Sequence, residues 1–102
     1  MRRHIYFVYI LTSQLNKVLY IGVTNDLARR IKQHKSHEFG GFAARYNVHK
    51  LVYYEVFQYI EDAILREKRL KGGPRLQKMD LIAAVNPHWI EMDAELEVAQ
   101  WA

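Results

Sequence analysis

Two apolar runs near the start of the chain are separated by a short polar turn. The runs cover residues 5–12 and 18–23 and contain several β-branched and aromatic residues. Runs of this kind on either side of a polar turn predict a β-hairpin. Because side chains alternate between the two faces of a strand, Tyr9 and Tyr20 share a face if the loop has an even number of residues. An odd loop or a bulge would separate them.

The rest of the chain is predicted to combine helices with one further strand. The cap signal at residues 24–26 begins a helix that ends near residues 34–37. The later elements are a helical turn at 42–46, a largely buried strand at 51–57 and helices at 60–71 and 75–85. The order ββααβαα predicts an α+β fold, similar to an α/β sandwich, in which a small three-stranded and mainly antiparallel sheet is flanked by helices.

Length and composition fit one folded domain. The chain has 102 residues, and half of them are hydrophobic, which allows one core but not two domains. We expect this domain to cover residues 1–90, and an acidic C-terminal tail, solvated or a fraying helix, to cover residues 91–102. The lack of cysteine excludes disulfides and fits a cytoplasmic location. Neither a signal peptide nor a membrane-spanning segment is expected.

Charge is distributed unevenly along the chain, which has a formal net charge of +4. Residues 1–78 contain all 15 Lys and Arg side chains and six acids, whereas residues 79–102 contain five acids and neither Lys nor Arg. A basic body of this kind favours a polyanionic partner, with nucleic acid as the first candidate. Mild basicity that serves solubility is the alternative.

The helix after the hairpin carries charge on its apolar face. Arg30 and His34 share the face of Leu27 and Ile31. Charge on such a face is costly unless it has a partner or a purpose. Arg30 therefore either extends its head group to the edge of the apolar stripe or belongs to a site, and His34 either ends the helix or belongs to the same site.

Glu67 is a second exception of this kind, on the apolar face of the helix at 60–71. A carboxylate in that position is either ion-paired or a metal ligand. Lys71 is its i+4 neighbour on the same helix, so a simple ion pair is a serious alternative.

The tripeptides Phe7-Val8-Tyr9 and Tyr20-Ile21-Gly22 resemble the motif that names the GIY-YIG nuclease family. The resemblance covers roughly residues 4–90, and the pattern is most similar to small stand-alone bacterial members. It implies a GIY-YIG endonuclease-like fold. It also implies catalytic roles for Arg30 and His34, which stand where the family carries its Arg and its His or Tyr. Glu67 stands where the family has the sole protein ligand of a divalent cation, so that one Mg²⁺ or Mn²⁺ is the expected cofactor.

The activity implied by the resemblance is metal-dependent hydrolysis of DNA phosphodiester bonds in DNA repair or recombination, with nicked, flapped or branched DNA as substrate. Arg30 would stabilise charge on the phosphoryl oxygens. Tyr9 would act on the side of the general base and Tyr20 would position water, with His34 as the alternative base. A non-catalytic nucleic-acid-binding module and a subunit that is active only with a partner protein are the alternative functions.

Further residues are candidates for contact with the nucleic acid. Gly22 permits close approach or relieves crowding near the tyrosines. The candidate contacts are Gly22, Arg45, Tyr46, Lys50, Arg66 and Lys71, with His49, Arg69, Arg75 and Lys78 as further phosphate contacts. The chain also departs from the family pattern. Several members carry a Lys after the second tripeptide, where this chain has Val23, and many carry an Asn after the metal-binding Glu, for which Asn86 is the only later Asn here.

Overall fold

Three strands form one sheet, and helices cover both of its faces. The computed structural model describes residues 4–37 and 41–101. Strands β1 (Tyr6–Thr12), β2 (Leu19–Thr24) and β3 (Lys50–Phe57) lie in the order β2-β1-β3, and both neighbouring pairs are antiparallel. The helices of the described part are α1 (Leu27–Lys35), α2 (Gly41–Arg45), α3 (Ile60–Gly72), α4 (Arg75–Val85) and α5 (Ala94–Ala99). None of them is long and apolar enough to span a membrane. The predicted α+β fold and the order ββααβαα are confirmed, and α5 is an additional element.

The hairpin loop has an even number of residues, since residues 13–18 lie between the paired ends of β1 and β2. In this register Gly22 lies opposite Tyr9, and Tyr20 lies opposite Leu11. Opposite residues of an antiparallel pair share a face, and so do residues two apart on one strand. The Tyr9 and Tyr20 rings therefore lie on the same face of the sheet.

Each face of the sheet has its own hydrophobic core, because side chains alternate along β1. The core of the first face comprises Phe7, Tyr9, Leu11, Leu27, Ile31, Val48, Leu51 and Ala94. The core of the second face comprises Val8, Ile10, Ile21, Val52, Tyr53, Ala63, Leu70 and Ile82. Helices α1 and α5 therefore lie on the face of Tyr9, and α3 and α4 lie on the other face.

Helix α1 begins at the predicted cap. The Asp26 carboxylate accepts a hydrogen bond of 3.1 Å from the Arg29 backbone N–H, which satisfies one of the free donors of the first turn. Ile31 and His34 are buried against the sheet, and Arg30 is half-buried beside them. The helix thus presents both predicted site residues to the Tyr9 face.

The acidic C-terminal segment is packed against the sheet, which differs from the expected solvated or fraying end. Asp93 caps α5 with its side chain, and Ala94 is buried in the first core. The Tyr54 hydroxyl of β3 donates a hydrogen bond of 2.7 Å to Glu97 and accepts one of 3.3 Å from the Trp101 indole. Apolar side chains between the acids anchor the segment, because they can be buried while the carboxylates stay in water. The domain boundary at residue 90 stays a prediction.

Candidate active site

Tyr9, Tyr20 and His34 form a cluster of three rings on the first face of the sheet. The Tyr9 hydroxyl and His34 Nε2 lie 3.1 Å apart, and this hydrogen bond joins β1 to α1. The Tyr20 ring centroid lies 5.1 Å from that of His34 and 6.3 Å from that of Tyr9. Tyr9 is fully buried, whereas Tyr20 is half-buried on the edge strand β2. The cluster is therefore closed on its inner side and open towards the edge of the sheet.

Gly22 makes room for the Tyr9 ring. The two residues lie opposite each other in the β1–β2 pair, and Gly22 is buried. A Cβ atom at position 22 would collide with the hydroxyl end of the Tyr9 ring. Because glycine has no side chain, the ring can lie directly over the backbone of β2. Of the two roles considered for Gly22, the geometry supports the relief of crowding.

Arg30 acts on Tyr9 from a position one helical turn before His34. Residues four apart on a helix share a face, so Arg30 and His34 approach the tyrosine from the same side. The Arg30 guanidinium lowers the pKa of Tyr9 both as a positive charge and through a hydrogen bond. A guanidinium can only donate, so the Tyr9 oxygen accepts this bond. In the tautomer that carries the imidazole proton on Nδ1, the Tyr9 hydroxyl donates to His34 Nε2, and the bonds form a directed chain from Arg30 through Tyr9 to His34.

Burial controls the protonation of this chain. It raises the pKa of Tyr9 far above the ordinary phenol value, Tyr20 acts in the same direction, and Arg30 offsets only part of the shift. Burial, followed by the charge of Arg30, lowers the pKa of His34 below 6.5. Near neutral pH Tyr9 therefore holds its proton and His34 is a neutral imidazole. Arg30 places a positive charge beside Tyr9, but burial outweighs its effect, so Tyr9 by itself is a poor base.

Glu67 lies on α3, on the other face of the sheet, and influences the cluster through its charge. Its side chain is only 17% exposed, and its negative charge raises the pKa of Tyr9. Lys71 Nζ lies 3.6 Å from Glu67 Oε2, but the lysine side chain is 53% exposed. A long i,i+4 pair with an exposed lysine contributes little to stability. Glu67 is therefore weakly ion-paired, and its role as a metal ligand stays a prediction.

The donor set around Glu67 fits a hard divalent cation. Within residues 4–37 and 41–101, no three His, Asp or Glu side chains come together as a metal site. A cation at Glu67 would therefore have fewer than three protein ligands of these kinds and would complete its shell with water and substrate oxygens. Mg²⁺ is commonly bound in this way, whereas zinc sites require three or four protein ligands.

The predicted nucleic-acid contacts lie in different environments. Arg45 and Tyr46 are exposed, and Arg45 Cζ lies 5.5 Å from the centroid of the Tyr46 ring. Lys50 is buried at the start of β3. Arg66 donates two hydrogen bonds, of 2.8 and 2.9 Å, to the carboxylate of Glu55. Lys50 and Arg66 thus have positions typical of structural roles, while Arg45 and Tyr46 stay predicted surface contacts.

Asn86 has a structural role. Its amide nitrogen donates to the backbone oxygens of Val52 and Ile90 at 3.1 and 2.9 Å, and its side-chain oxygen accepts from the Ile90 backbone N–H at 3.0 Å. These bonds fix the chain that follows α4 against β3. The side chain is therefore engaged inside the fold.

One candidate group was not found by reasoning from the sequence. Lys17 lines a depression together with Arg75 and Lys78, which were predicted only as separate phosphate contacts. Lys17 lies in the hairpin loop, and no local pattern indicates that this loop packs beside the start of α4. The juxtaposition depends on tertiary packing alone.

Comparisons with known proteins cover most of the chain. A family model described as the GIY-YIG catalytic domain matches residues 5–80. A UPF0213 protein of Clostridium perfringens is 39% identical, and the alignment covers 76% of this chain and 83% of that protein. A UPF0213 protein of Oceanobacillus iheyensis is 30% identical, and the alignment covers 76% of this chain and 88% of that protein. The solution NMR structure of a UPF0213 protein from Bacillus halodurans, at 26% identity, has a TM-score of 0.52 and covers 93% of this chain and 97% of that one.

Proposed function

Because the chain belongs to the GIY-YIG catalytic domain family, we propose that it is a metal-dependent endonuclease that hydrolyses DNA phosphodiester bonds. The observation that carries the proposal is the hydrogen bond between the Tyr9 hydroxyl and His34 Nε2, with Arg30 and Glu67 both acting on the same hydroxyl. A buried proton donor, a neutral acceptor, a fixed cation and a carboxylate are the groups that phosphodiester hydrolysis requires.

Arg30 binds the scissile phosphate. Its planar guanidinium offers several donors, which match the oxygens of a phosphoryl group better than a lysine would. The negative charge on those oxygens grows towards the transition state, so a cation that is held in place stabilises the transition state more than the ground state. The half-buried position of Arg30 on α1 provides that fixed placement.

Tyr9 and His34 remove the proton of the attacking water together. The water proton moves to the Tyr9 oxygen while the Tyr9 proton moves to His34 Nε2, which becomes an imidazolium. This route does not require a free tyrosinate, which burial makes costly. His34 accepts the proton because it is neutral near pH 7. Tyr20 lies against both rings and orients the water at the open edge of the cluster.

Glu67 is the residue that would hold the divalent cation. When bound, Mg²⁺ or Mn²⁺ supplies Lewis-acid stabilisation of the charge on the phosphoryl and leaving oxygens. Lys71 can move away from Glu67, because its side chain is exposed and the pair is long. Glu67 itself stays in place on α3, whose buried Ala63 and Leu70 fix the helix on the sheet.

The substrate is DNA with an irregular backbone, that is, nicked, flapped or branched DNA as it occurs in repair or recombination. The described residues form one sheet with its covering helices and include no separate element shaped to enter a groove and read bases. Recognition of base sequence requires such an element, whereas recognition of backbone shape does not. A cytoplasmic location, where the chromosome of a bacterium lies, is part of the proposal.

The proposal is tested with the purified chain and end-labelled DNA. Nicked, flapped, branched and intact duplexes are incubated with Mg²⁺, with Mn²⁺ and with EDTA, and the products are separated on a denaturing gel. We expect cleavage of the irregular duplexes with either metal and none in EDTA. Binding of these DNAs without a product at any metal concentration would refute the endonuclease and indicate a nucleic-acid-binding module.

A further inference from the structure

A shallow basic depression lies beside the hairpin loop, away from the tyrosine cluster. It has a volume of 410 Å³ and is open to solvent. The lining residues are Lys17, Val18, Leu19, Gly73, Arg75 and Lys78. Three of them are cations, and no Asp or Glu is among the described residues that line it. Such a surface attracts anions, because its positive charge is not balanced locally.

Lys78 forms the floor of the depression and is the strongest sign of an anion site. It is only 8% exposed, and its ammonium donates to the Gly73 carbonyl at 2.8 Å and to the Pro74 carbonyl at 3.5 Å. Both acceptors are neutral, and none of the ion pairs found in the described part of the chain includes Lys78. A buried ammonium without a carboxylate retains a net charge that an incoming anion can compensate.

Hydrogen bonds within the hairpin loop hold the backbone of Lys17 at the rim of the depression. The Ser13 hydroxyl accepts hydrogen bonds of 3.1 Å from the backbone N–H groups of Lys17 and Val18. Arg75 Nη2 lies 3.4 Å from the Asn16 carbonyl and connects the loop to the first turn of α4. That turn has neither a side-chain cap nor an acidic residue, so the positive end of the helix dipole adds to the two side chains.

The depression lies between the hairpin loop and the start of α4, which packs on the second face of the sheet, whereas Tyr9 and Tyr20 belong to the first face. Lys17 precedes Tyr20 by three residues, so their backbones are at most roughly 10 Å apart. Successive nucleotides of one DNA strand rise about 3.4 Å along the duplex. The depression would therefore hold a different phosphate from the one at the catalytic cluster.

We propose that this depression binds a phosphodiester group of the DNA backbone, at a phosphate other than the one that is cut. The chemistry recognised is a singly charged phosphate with its sugar exposed to solvent, which suits three neighbouring cations and an open rim. That this phosphate is not the one cut rests on the proposed function, whereas the binding of DNA at the depression does not.

The test is a binding measurement that excludes cleavage. Glu67→Ala is combined with Lys17→Ala and Arg75→Ala, and anisotropy of a fluorescent nicked duplex is recorded in EDTA at several salt concentrations. We expect the two added changes to weaken binding about tenfold or more, and to lower the salt slope by about 0.9, as for one lost phosphate contact. Lys78 is left intact, because its loss would also remove the bonds to the carbonyl groups at the end of α3.

The matched control combines Glu67→Ala with Lys32→Ala and Lys35→Ala. These two lysines lie on α1 and pair with Glu95 and Glu91, so that the net charge changes equally at a distant site. Equal losses of affinity in the two sets of variants would overturn the inference, as would a Glu67→Ala chain that does not bind DNA.

Inorganic phosphate is the other source of the same chemistry. Amide chemical-shift changes at Lys17 and Arg75 with inorganic phosphate, together with unchanged DNA affinity in the variant of those residues, would assign the depression to a free anion and overturn the inference. The proposed function is tested separately, by the cleavage assay with the wild-type chain. The expected binding pattern without any cleavage would support the depression and refute the nuclease.

Discussion

At the scale of single residues, the proposed site depends on the contrast between Tyr9 and His34. Burial pushes their pKa values in opposite directions, upward for the phenol and downward for the imidazole. Each group is therefore neutral near pH 7, and a 3.1 Å hydrogen bond joins them. The sequence predicted that both residues belong to one site, but it left open which of them is the base, because their burial depends on tertiary packing. The proposed mechanism gives them a joint role.

Replacing Tyr9 by Phe removes only the hydroxyl. We expect the free energy of unfolding to fall by about 1–3 kcal/mol, because His34 loses its bond to that group inside the fold. Single-turnover cleavage should slow by about 100-fold or more, because the proton path is interrupted. Tyr54→Phe is the matched control: Tyr54 lies opposite Tyr9 on the neighbouring strand, but its hydroxyl bonds to Glu97 and not to His34. Equal cleavage rates in the two variants would contradict the role of Tyr9.

The pH dependence of stability should report on His34. Its pKa lies below 6.5 in the folded chain and near 6.5 when unfolded, so the unfolded chain binds the proton more readily. The contribution of neutral His34 to the free energy of unfolding is therefore fully present above pH 6.5. It is lost as the pH falls through the folded pKa of His34. Urea unfolding of wild type and His34→Gln across pH 5–8 measures the difference. His88→Gln, at an exposed position, is the control and should keep the wild-type slope.

At the scale of elements, the sequence predicted the features that depend on neighbouring residues but not those that depend on packing between distant elements. The hairpin, the cap at Asp26 and the helix stops follow from neighbouring residues, and all are present. The sequence could not show that Glu67 acts on Tyr9 from the opposite face, because this depends on how α3 crosses β1 and β2. The packing of α5 was missed for the same reason. Its acidic residues predicted an exposed segment, whereas the buried Ala94 packs the helix against the first core.

The β1–β2 pair should be sensitive to any side chain at Gly22. In Gly22→Ala the new Cβ would collide with the Tyr9 ring, so that the ring or the strand must move. We expect a loss of about 1–3 kcal/mol in stability and a strong loss of cleavage, because the Tyr9 hydroxyl leaves His34. Gly72→Ala, where nothing lies within 4 Å, is the control. Thermal unfolding and cleavage rates that match in both variants would contradict the placement of Tyr9.

The docking of α5 depends on Ala94. Ala94→Asp buries a carboxylate in the first core, and we expect it to destabilise the chain by about 2 kcal/mol or more. Ala99→Asp adds the same charge at an exposed position of the same helix and should change stability little. Chemical denaturation separates the two. A stable Ala94→Asp variant would show that the C-terminal segment is not anchored there.

At the scale of the whole molecule, charge divides the surface. The acidic C-terminal segment pairs with the outer side of α1, through Lys32–Glu95 at 3.0 Å and Lys35–Glu91 at 2.8 Å. Surface pairs of this kind add little stability, but they neutralise that side of the chain. The basic residues at the hairpin loop and the start of α4 have no such partners among the described ion pairs. The net charge therefore favours approach of DNA from the side of the depression and the sheet edge.

The measurement that tests the site most directly is the single-turnover rate of flap cleavage in Mn²⁺, compared between Glu67→Ala and Glu61→Ala. Both changes remove one carboxylate from α3, but Glu61 is exposed in the first turn of the helix. We expect Glu67→Ala to abolish cleavage while the fold and its thermal unfolding are retained, and Glu61→Ala to cut at the wild-type rate. Undiminished cleavage by Glu67→Ala would contradict a metal-dependent site at Tyr9, Arg30, His34 and Glu67.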